Sequence, residues 1–393
     1  MEVRAQQVAG GRAHPVEQVG PPHGQVGDDA LRGRLAPSVG LVGEEPDLDA
    51  GSELRRFAGL PPRGHDHRDP LEREDPQHRP GRLFDRMTRT VGLIGLGEIG
   101  LTYLEALGHL PAVRVAGVFD PGLADDVILG VPRSASLAEL AAAAGDGIIV
   151  ATPTATHAEV CRDLLRLRRP PRVLLVEKPL GPTLRDVEGI LTNAGLAGCD
   201  VQVLYHVAYA PEVAWGVGVH AALGPLEGGV AEIDCHFSDL VPAGEEERFR
   251  KAFSSSWVDL GINALSVLKR FVRLESLELD DADESAGWYR ARSGFVDAAG
   301  AAGVARLSTA WSGDDKRTTI RFRSGAELRL DHQRVTGDLV GATSATSFAL
   351  GDAVPRLVAH YVPMLSEILV EGHRRFSPSD DVTLHRLLLG GIA

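Results

Sequence analysis

TVGLIGLGEIG, residues 90–100, is the stretch whose reading decides the fold. Val91, Leu93 and Ile94 form a short apolar run, Gly95, Gly97 and Gly100 follow at the spacing G-x-G-x-x-G, and Tyr103, Leu104 and Leu107 then recur at helical intervals. The pattern predicts a strand, a glycine turn and a helix. The first glycine permits the tight turn, the second lets backbone amides approach a pyrophosphate, and the third lets helix and strand pack closely, so that the helix N-terminus faces the phosphates. A second apolar run at 113–119 ends in Asp120, twenty residues beyond Gly100. A carboxylate there accepts hydrogen bonds from ribose hydroxyls and repels a 2′-phosphate, which favours NAD and leaves NADP as the other option. Asp120 also precedes Pro121, and an Asp-Pro turn opener is its other reading.

Working outward, strand and helix patterns alternate: a short helix at 136–144, the run GIIVA at 147–151, a helix at 158–168, a strand at 173–176, a helix at 184–194 and a strand at 201–204. Strands alternating with helices imply parallel crossovers and a doubly wound sheet. Beyond Tyr209 the texture changes. A helix around 212–222 is followed by alternating stretches at 229–238, 276–281, 288–292, 304–311, 318–323 and 326–330, which predict a largely antiparallel open sheet. A 352–376 segment sets Val354, Leu357, Val358, Tyr361, Leu365, Ile368 and Leu369 on one helical face, and a final helix is expected near 381–389. The expected organisation is therefore a Rossmann domain at 87–207 and a substrate-binding and oligomerisation domain at 208–393, whose last helices can pack back on the first.

Residues 1–86 read differently. They hold twelve Gly, ten Pro, twelve Arg and five His, with no sustained periodicity, a composition expected to be disordered. A mitochondrial presequence is poor in acidic residues, whereas Glu44, Glu45, Asp47, Asp49, Glu72 and Asp75 occur here. The expectation is that Met87 is the natural start and that the upstream part is an over-extended reading frame.

With 393 residues and 44% hydrophobic content, the chain can bury two ordinary cores. A formal charge of -13 argues against a nucleic-acid footprint or an anionic-lipid surface. Cys161, Cys199 and Cys235 lie far apart without a C-x-x-C, so no disulfide framework or zinc site is expected and a reducing cytoplasm fits. No apolar run long enough to span a bilayer occurs. Lysine is rare: it stands at 178, 251, 269 and 316 only, and the other thirty-seven of the 41 basic residues are Arg.

Three motifs occur in order: the glycine fingerprint, ATPTATH at 151–157 and VEKPLG at 176–181. Together they resemble the Gfo/Idh/MocA family of nicotinamide-dependent oxidoreductases. The resemblance implies a Rossmann domain joined to an α/β domain whose open sheet often mediates oligomerisation, here as a dimer or tetramer. It also makes Lys178 the active-site lysine and Pro179 the residue shaping its turn. The residues themselves support Lys178, since a lysine directly after an apolar strand, at the carboxyl edge of a parallel sheet, can hydrogen-bond a substrate oxygen and stabilise developing charge. A solvent-exposed turn lysine is the other reading. The cofactor set on this basis is Gly95, Gly97, Glu98, Ile99, Gly100, Asp120, Thr152, Pro153, His157, Glu177 and Lys178.

The second half holds WVDLGINALSVL at 257–268. The wider family has Asp and His four residues apart here, and this chain has Asp259 and Asn263, which a spacing of four puts on one helical face. An amide cannot accept an alcohol proton, so proton transfer falls to Asp259 or Lys178. Asn within GINALS resembles the branch of aldose 1-dehydrogenases acting on L-arabinose and D-galactose, which implies that Asp259 is the acid/base and Asn263 binds sugar hydroxyls. His206, after the aromatic Tyr205, is a candidate sugar ligand or else a packed histidine. Asp239 and His360 match the branch by position, and surface or helix-packing roles are the alternatives. The branch has glycines before its aspartate, whereas Ser254, Ser255 and Ser256 stand here.

The expectation is an NAD-dependent dehydrogenase that oxidises the C1 hemiacetal of an aldose to its lactone, with Lys178, Asp259 and Asn263 in catalysis and His206, Asn263 and Asp239 on the sugar. The rivals are a family member acting on a secondary alcohol of a sugar or cyclitol, and a non-catalytic NAD-binding sensor. No metal site or nucleophile elbow is expected.

Overall fold

A computed structural model describes residues 88–390 apart from 124–126 and 342–344. The segment 1–86, with the start expected at Met87, lies outside the described residues. Among the described residues, no helix is long and apolar enough to cross a membrane.

The glycine turn opens where expected, between strand β1 (Arg89–Ile94) and helix α1 (Glu98–Gly108). The chain then runs through β2 (Val113–Phe119), a small ribbon of β3 (Val127–Ile128) and β4 (Val131–Pro132), and α2 (Leu137–Ala143). It continues through β5 (Gly147–Val150), α3 (His157–Leu165), β6 (Val173–Glu177), α4 (Leu184–Ala197) and β7 (Asp200–Leu204). The five long strands form one parallel sheet in the order β2-β1-β5-β6-β7. All four residues of β5 are buried, as expected for a parallel sheet covered on both faces. The helix ends follow local chemistry. Ser136 accepts from Glu139 N while the Glu139 carboxylate accepts from Ala135 N, a reciprocal cap on α2. Thr183 caps α4, which stops at Gly198 in the left-handed region.

Because β1 and β5 are adjacent while the chain leaves β1 for β2 on the other side, the strand order reverses between them. Doubly wound sheets hold ligands in the crevice at such a reversal, beyond the strand C-termini. The glycine turn, Thr152 and Lys178 all stand at that edge.

A 3₁₀ turn (His206–Tyr209) and α5 (Pro211–Leu223) lead into the second sheet. Its strands are β8 (Val230–Ser238), β9 (Arg273–Asp283), β10 (Trp288–Val296), β11 (Ala302–Ala310), β12 (Lys316–Phe322), β13 (Glu327–Asp331), β14 (Thr336–Val340) and β15 (Thr346–Ala349). The order is β15-β14-β13-β12-β8-β11-β10-β9, antiparallel except where β8 meets β11. Side chains alternate as a half-buried sheet requires. Ile233, Cys235 and Phe237 point into the core, and Glu232, Asp234 and His236 point outward. Ion pairs such as Arg306–Glu232 at 2.9 Å lace the outer face; being exposed, each stabilises little.

Between β8 and β9 lie α6 (Glu246–Phe253), a π turn (Trp257–Gly261) and α7 (Ile262–Leu268). The chain closes with α8 (Arg356–Leu365), a second π turn (Ser366–Val370) and α9 (Pro378–Gly390). The long helix expected over 352–376 is thus shorter and interrupted. It starts after Pro355, widens into a π turn soon after Pro363, which has no N–H to donate, and ends near Glu371. Helix α8 packs on α1 and on the 206–209 turn, and α9 packs on α4 and α7. Cys161, Cys199 and Cys235 are buried and free.

Candidate active site

The glycine turn is sterically specified. Gly95 has φ +88, and a Cβ on it would lie 2.7 Å from Ala151 O; a Cβ on Gly100 would lie 2.1 Å from Gly95 O. Loop and helix therefore interlock only when both positions lack a side chain. Gly97 is different: a Cβ there would meet nothing within 4 Å. Gly97 is the N-cap of α1, so the open space beside it lies at a helix N-terminus, where a dinucleotide pyrophosphate can be held by first-turn amides. Glu98 is exposed and Ile99 half-buried beside it. Asp120, at the end of β2, accepts from Leu96 N and from Gly122 N, both at 2.8 Å. The geometry carries the turn reading of Asp120: the carboxylate shapes its own turn and also braces the glycine loop.

Across the crevice, Thr152 is half-buried and Pro153 exposed. His157 is fully buried, with Nε2 at 2.8 Å from Thr152 O and Nδ1 at 3.1 Å from Pro179 O. Burial holds its pKa below the usual histidine value despite those carbonyls. A neutral ring donates from one nitrogen only, so it hydrogen-bonds one of the two carbonyls while packing between the two loops named in the sequence motifs. Glu177 is buried too: Oε1 accepts from the hydroxyls of Tyr103 at 2.6 Å and Tyr361 at 3.0 Å, and Oε2 from Lys178 N at 2.9 Å. Burial raises its pKa against the opposing pull of Lys178 and both tyrosines.

The Lys178 side chain leaves the end of β6 and meets Asp259, whose chain position is 81 residues away. Its ammonium donates to Asp259 Oδ1 at 2.8 Å and to Asp259 O at 3.0 Å. The two side chains are 11% and 10% exposed, a paired charge almost out of water. Burial opposes the ammonium, but the Asp259 and Glu177 carboxylates outweigh it and keep the Lys178 pKa above the ordinary lysine range. An ammonium has three donors, so one N–H remains for another oxygen. Asp259 sits in the π turn, a backbone form often found at functional sites. Just before it, Ser254 adopts φ +68, the left-handed conformation that glycine takes freely, at a position where the resemblance expects glycine.

Asn263 is buried one turn further on, and its Oδ1 has no protein partner. His206 Nδ1 is likewise unpartnered; the ring stacks on Tyr361 with centroids 4.7 Å apart and planes 8° apart. Burial, then the charges of Lys178, Arg356 and Lys316, push the His206 pKa well below 6.5, so the ring is neutral. Asp239 pairs with Lys316, and its charge adds to the field at Lys178. His360 is buried 3.7 Å from Glu212 Oε1, with neither ring nitrogen hydrogen-bonded. Unpaired buried polar atoms carry a desolvation cost unless a ligand or water meets them.

The structure thus brings Lys178 and Asp259 into contact and sets His206 and Asp239 within electrostatic reach of the lysine. His157 and Glu177 are buried, with their polar atoms facing protein partners. Sequence reasoning missed Tyr103, Tyr361 and Lys316. The rarity of lysine was the one signal that could have found Lys316. Among the described residues, no group of His, Cys, Asp or Glu is arranged to hold a metal ion.

Comparison with known proteins bears on this geometry. Residues 89–205 match the model of an oxidoreductase family with an NAD-binding Rossmann fold. The chain is 25% identical over 189 residues to the rhizopine catabolism protein MocA of Rhizobium meliloti, covering 47% of this chain and 57% of that protein. It therefore aligns with little more than half of that relative's length. Two solved structures share the fold. GenD2 from gentamicin A biosynthesis, in complex with NAD, matches with a TM-score of 0.59 at 19% identity over 84% of this chain and 95% of its own. The UDP-N-acetylglucosamine 3-dehydrogenase GnnA of Acidithiobacillus ferrooxidans matches with a TM-score of 0.58 at 16% identity over 77% and 96%.

Proposed function

From the match of residues 89–205 to the model of the Gfo/Idh/MocA oxidoreductase family with its NAD-binding Rossmann fold, we propose that the protein belongs to that family and is an NAD-dependent dehydrogenase oxidising the C1 hemiacetal of an aldose to its lactone. The observation that carries this reading is the Lys178–Asp259 pair. One lysine N–H and one carboxylate oxygen, Asp259 Oδ2, remain for a substrate at the carboxyl edge of the sheet.

The first-turn amides of α1 would hold the pyrophosphate of NAD, and Asp120 would accept from the adenosine ribose hydroxyls. NAD supplies the hydride acceptor, and the protein positions the two carbons between which hydride moves. Lys178 donates its free N–H to the C1 oxygen, where negative charge develops. Asp259 takes the hydroxyl proton as the carbonyl forms and hydride leaves C1. Atoms and charge balance: one proton passes to Asp259, one hydride to the nicotinamide, and the lactone remains. Asn263 Oδ1 accepts from a ring hydroxyl and the neutral His206 ring accepts from or donates to another through Nδ1, which supplies partners for atoms that have none in the protein alone.

The choice of an aldose rests on Asn263 standing where a histidine is usual in the family. The full chain with NAD or NADP is assayed for reduced cofactor against aldoses and cyclitols. Turnover of L-arabinose, D-galactose or a close relative, with a lactone product, supports the reading, and a ketone product replaces it with secondary-alcohol oxidation. NAD binding without turnover of any polyol would replace it with a sensor. Asp259→Asn should lower kcat by about 10³-fold with NAD affinity kept; an active variant sinks the assignment of the base.

A further inference from the structure

One face of α9 touches each backbone segment that carries a proposed catalytic group. Asp381 Oδ1 accepts the Tyr205 hydroxyl at 3.0 Å, directly before His206. His385 Nε2 accepts the Leu180 N–H at 2.8 Å, two residues after Lys178. The Leu388 carbonyl accepts the Trp257 indole N–H at 2.8 Å, two residues before Asp259. Positions 381, 385 and 388 share one helical face, and all three residues are buried.

Of these tethers, the one from His385 acts on the lysine turn itself. His385 Nδ1 donates to Asp381 O at 2.7 Å, which leaves Nε2 as the acceptor. Leu180 is fully buried, so water does not replace that acceptor. On the opposite side of the turn, His157 faces Pro179 O, and Glu177 receives Lys178 N. The turn is therefore gripped by three buried groups, and only His385 comes from the end of the chain. Burial pushes the His385 pKa down to about 4, which keeps the accepting form neutral at ordinary pH.

We propose that His385 is a positioning residue: from the C-terminal helix it fixes the 178–180 turn so that the Lys178 ammonium stays on Asp259. Its effect on turnover rests on the dehydrogenase reading above, whereas its effect on Lys178 does not.

The test uses both readouts. Lysine acylation resolved by peptide mass is clean here, because the chain has four lysines. In the wild type, Lys178 reacts far more slowly than Lys251, whose side chain is 77% exposed. In His385→Leu, Lys178 labelling rises and kcat falls, each by about tenfold or more, while NAD affinity stays within about twofold. His385→Gln keeps an acceptor of similar reach and stays near wild type. The proposal is overturned if Lys178 labelling and kcat do not move in His385→Leu, if His385→Gln is equally impaired, or if Lys316 labelling rises in step, which would mean general loosening. Should His385→Leu fail to fold, His385→Gln is compared with the shorter His385→Asn, and equal Lys178 labelling in the two overturns the proposal. A wild type silent on every polyol sinks the dehydrogenase reading, and labelling still decides the role of His385.

Discussion

In the proposed site, the working atoms at the cofactor end are backbone amides around Gly95, Gly97 and Gly100, held by sterics and by Asp120 accepting from Leu96 N. At the substrate end they are side chains: Lys178 from the first sheet, Asp259 from a π turn, His206 from a 3₁₀ turn and Asp239 from just after β8. The first end is local in sequence and depends on the absence of side chains. The second is assembled from distant segments and depends on particular functional groups. Substitutions should therefore fail in different ways at the two ends, and that difference can be broken or sharpened by experiment.

The largest effect is expected at the substrate end. Lys178→Met removes the donor to the developing alkoxide and leaves Asp259 buried without a partner, so kcat should fall by roughly 10³-fold or more while NAD still binds. Paired measurements of kcat and of NAD affinity by fluorescence titration check this. Comparable losses in both would mean that the two ends are not separable.

Next comes α9, which tethers the segments of the substrate end. His385 has a folded pKa near 4, below the unfolded histidine value, so its neutral state contributes stability that is complete above pH 6.5 and is lost as pH falls toward 4. Burial raises Asp381 to about 7, despite Tyr205 and Arg374, so its contribution is complete below the unfolded carboxylate pKa and is lost as pH rises through 7. The slopes oppose each other across pH 4 to 6.5. Relative to wild type, Asp381→Asn should make stability fall more steeply on acidification. His385→Gln should make it fall more steeply as pH rises. Each difference is on the order of 3 kcal/mol at most. Denaturant titrations at several pH values measure them, and parallel curves for all three proteins contradict the assignment.

At the cofactor end, Gly97→Ala should fold with an unchanged Tm and lose NAD affinity by about 10- to 100-fold, because the new methyl group occupies space meant for the pyrophosphate. Gly100→Ala collides with Gly95 O, so it should lower Tm as well. Equal Tm losses for the two would erase the distinction between a packing glycine and a ligand-facing one. The smallest effect is expected for Asp120→Ser, which should reduce the preference for NAD over NADP by about tenfold. Steady-state kinetics with both cofactors measure it, and an unchanged ratio leaves Asp120 only its turn and loop-bracing hydrogen bonds.

The same contrast explains what could be read in advance. The parallel sheet was legible because glycine stereochemistry and apolar strands of four to seven residues are local signals. Most of the second sheet showed its alternation too, but β14 and β15, TGDLV and TSFA, each bury only one large apolar side chain and did not stand out. Helix α6 escaped because it is short and mostly charged, and its apolar face is little more than Phe249 and Phe253, which pack against the core without being fully buried. In the candidate site, the contact of Lys178 with Asp259 spans 81 residues and no local pattern encodes it. His206 stacking on Tyr361 is equally non-local. Only the residue types could be anticipated, and for Lys178 the scarcity of lysine sharpened the choice.

The three buried cysteines have a consequence for chemical durability. Burial lifts the thiols of Cys161 and Cys235 to about 12 and that of Cys199 to about 11, so scarcely any thiolate exists near neutrality. Peroxide and electrophiles attack the thiolate, and each sulfur is also shielded from the reagent. Met364 is fully buried as well. Activity should survive an oxidative burst that disables enzymes with accessible thiols, and preparations should keep their monothiol state without added reductant.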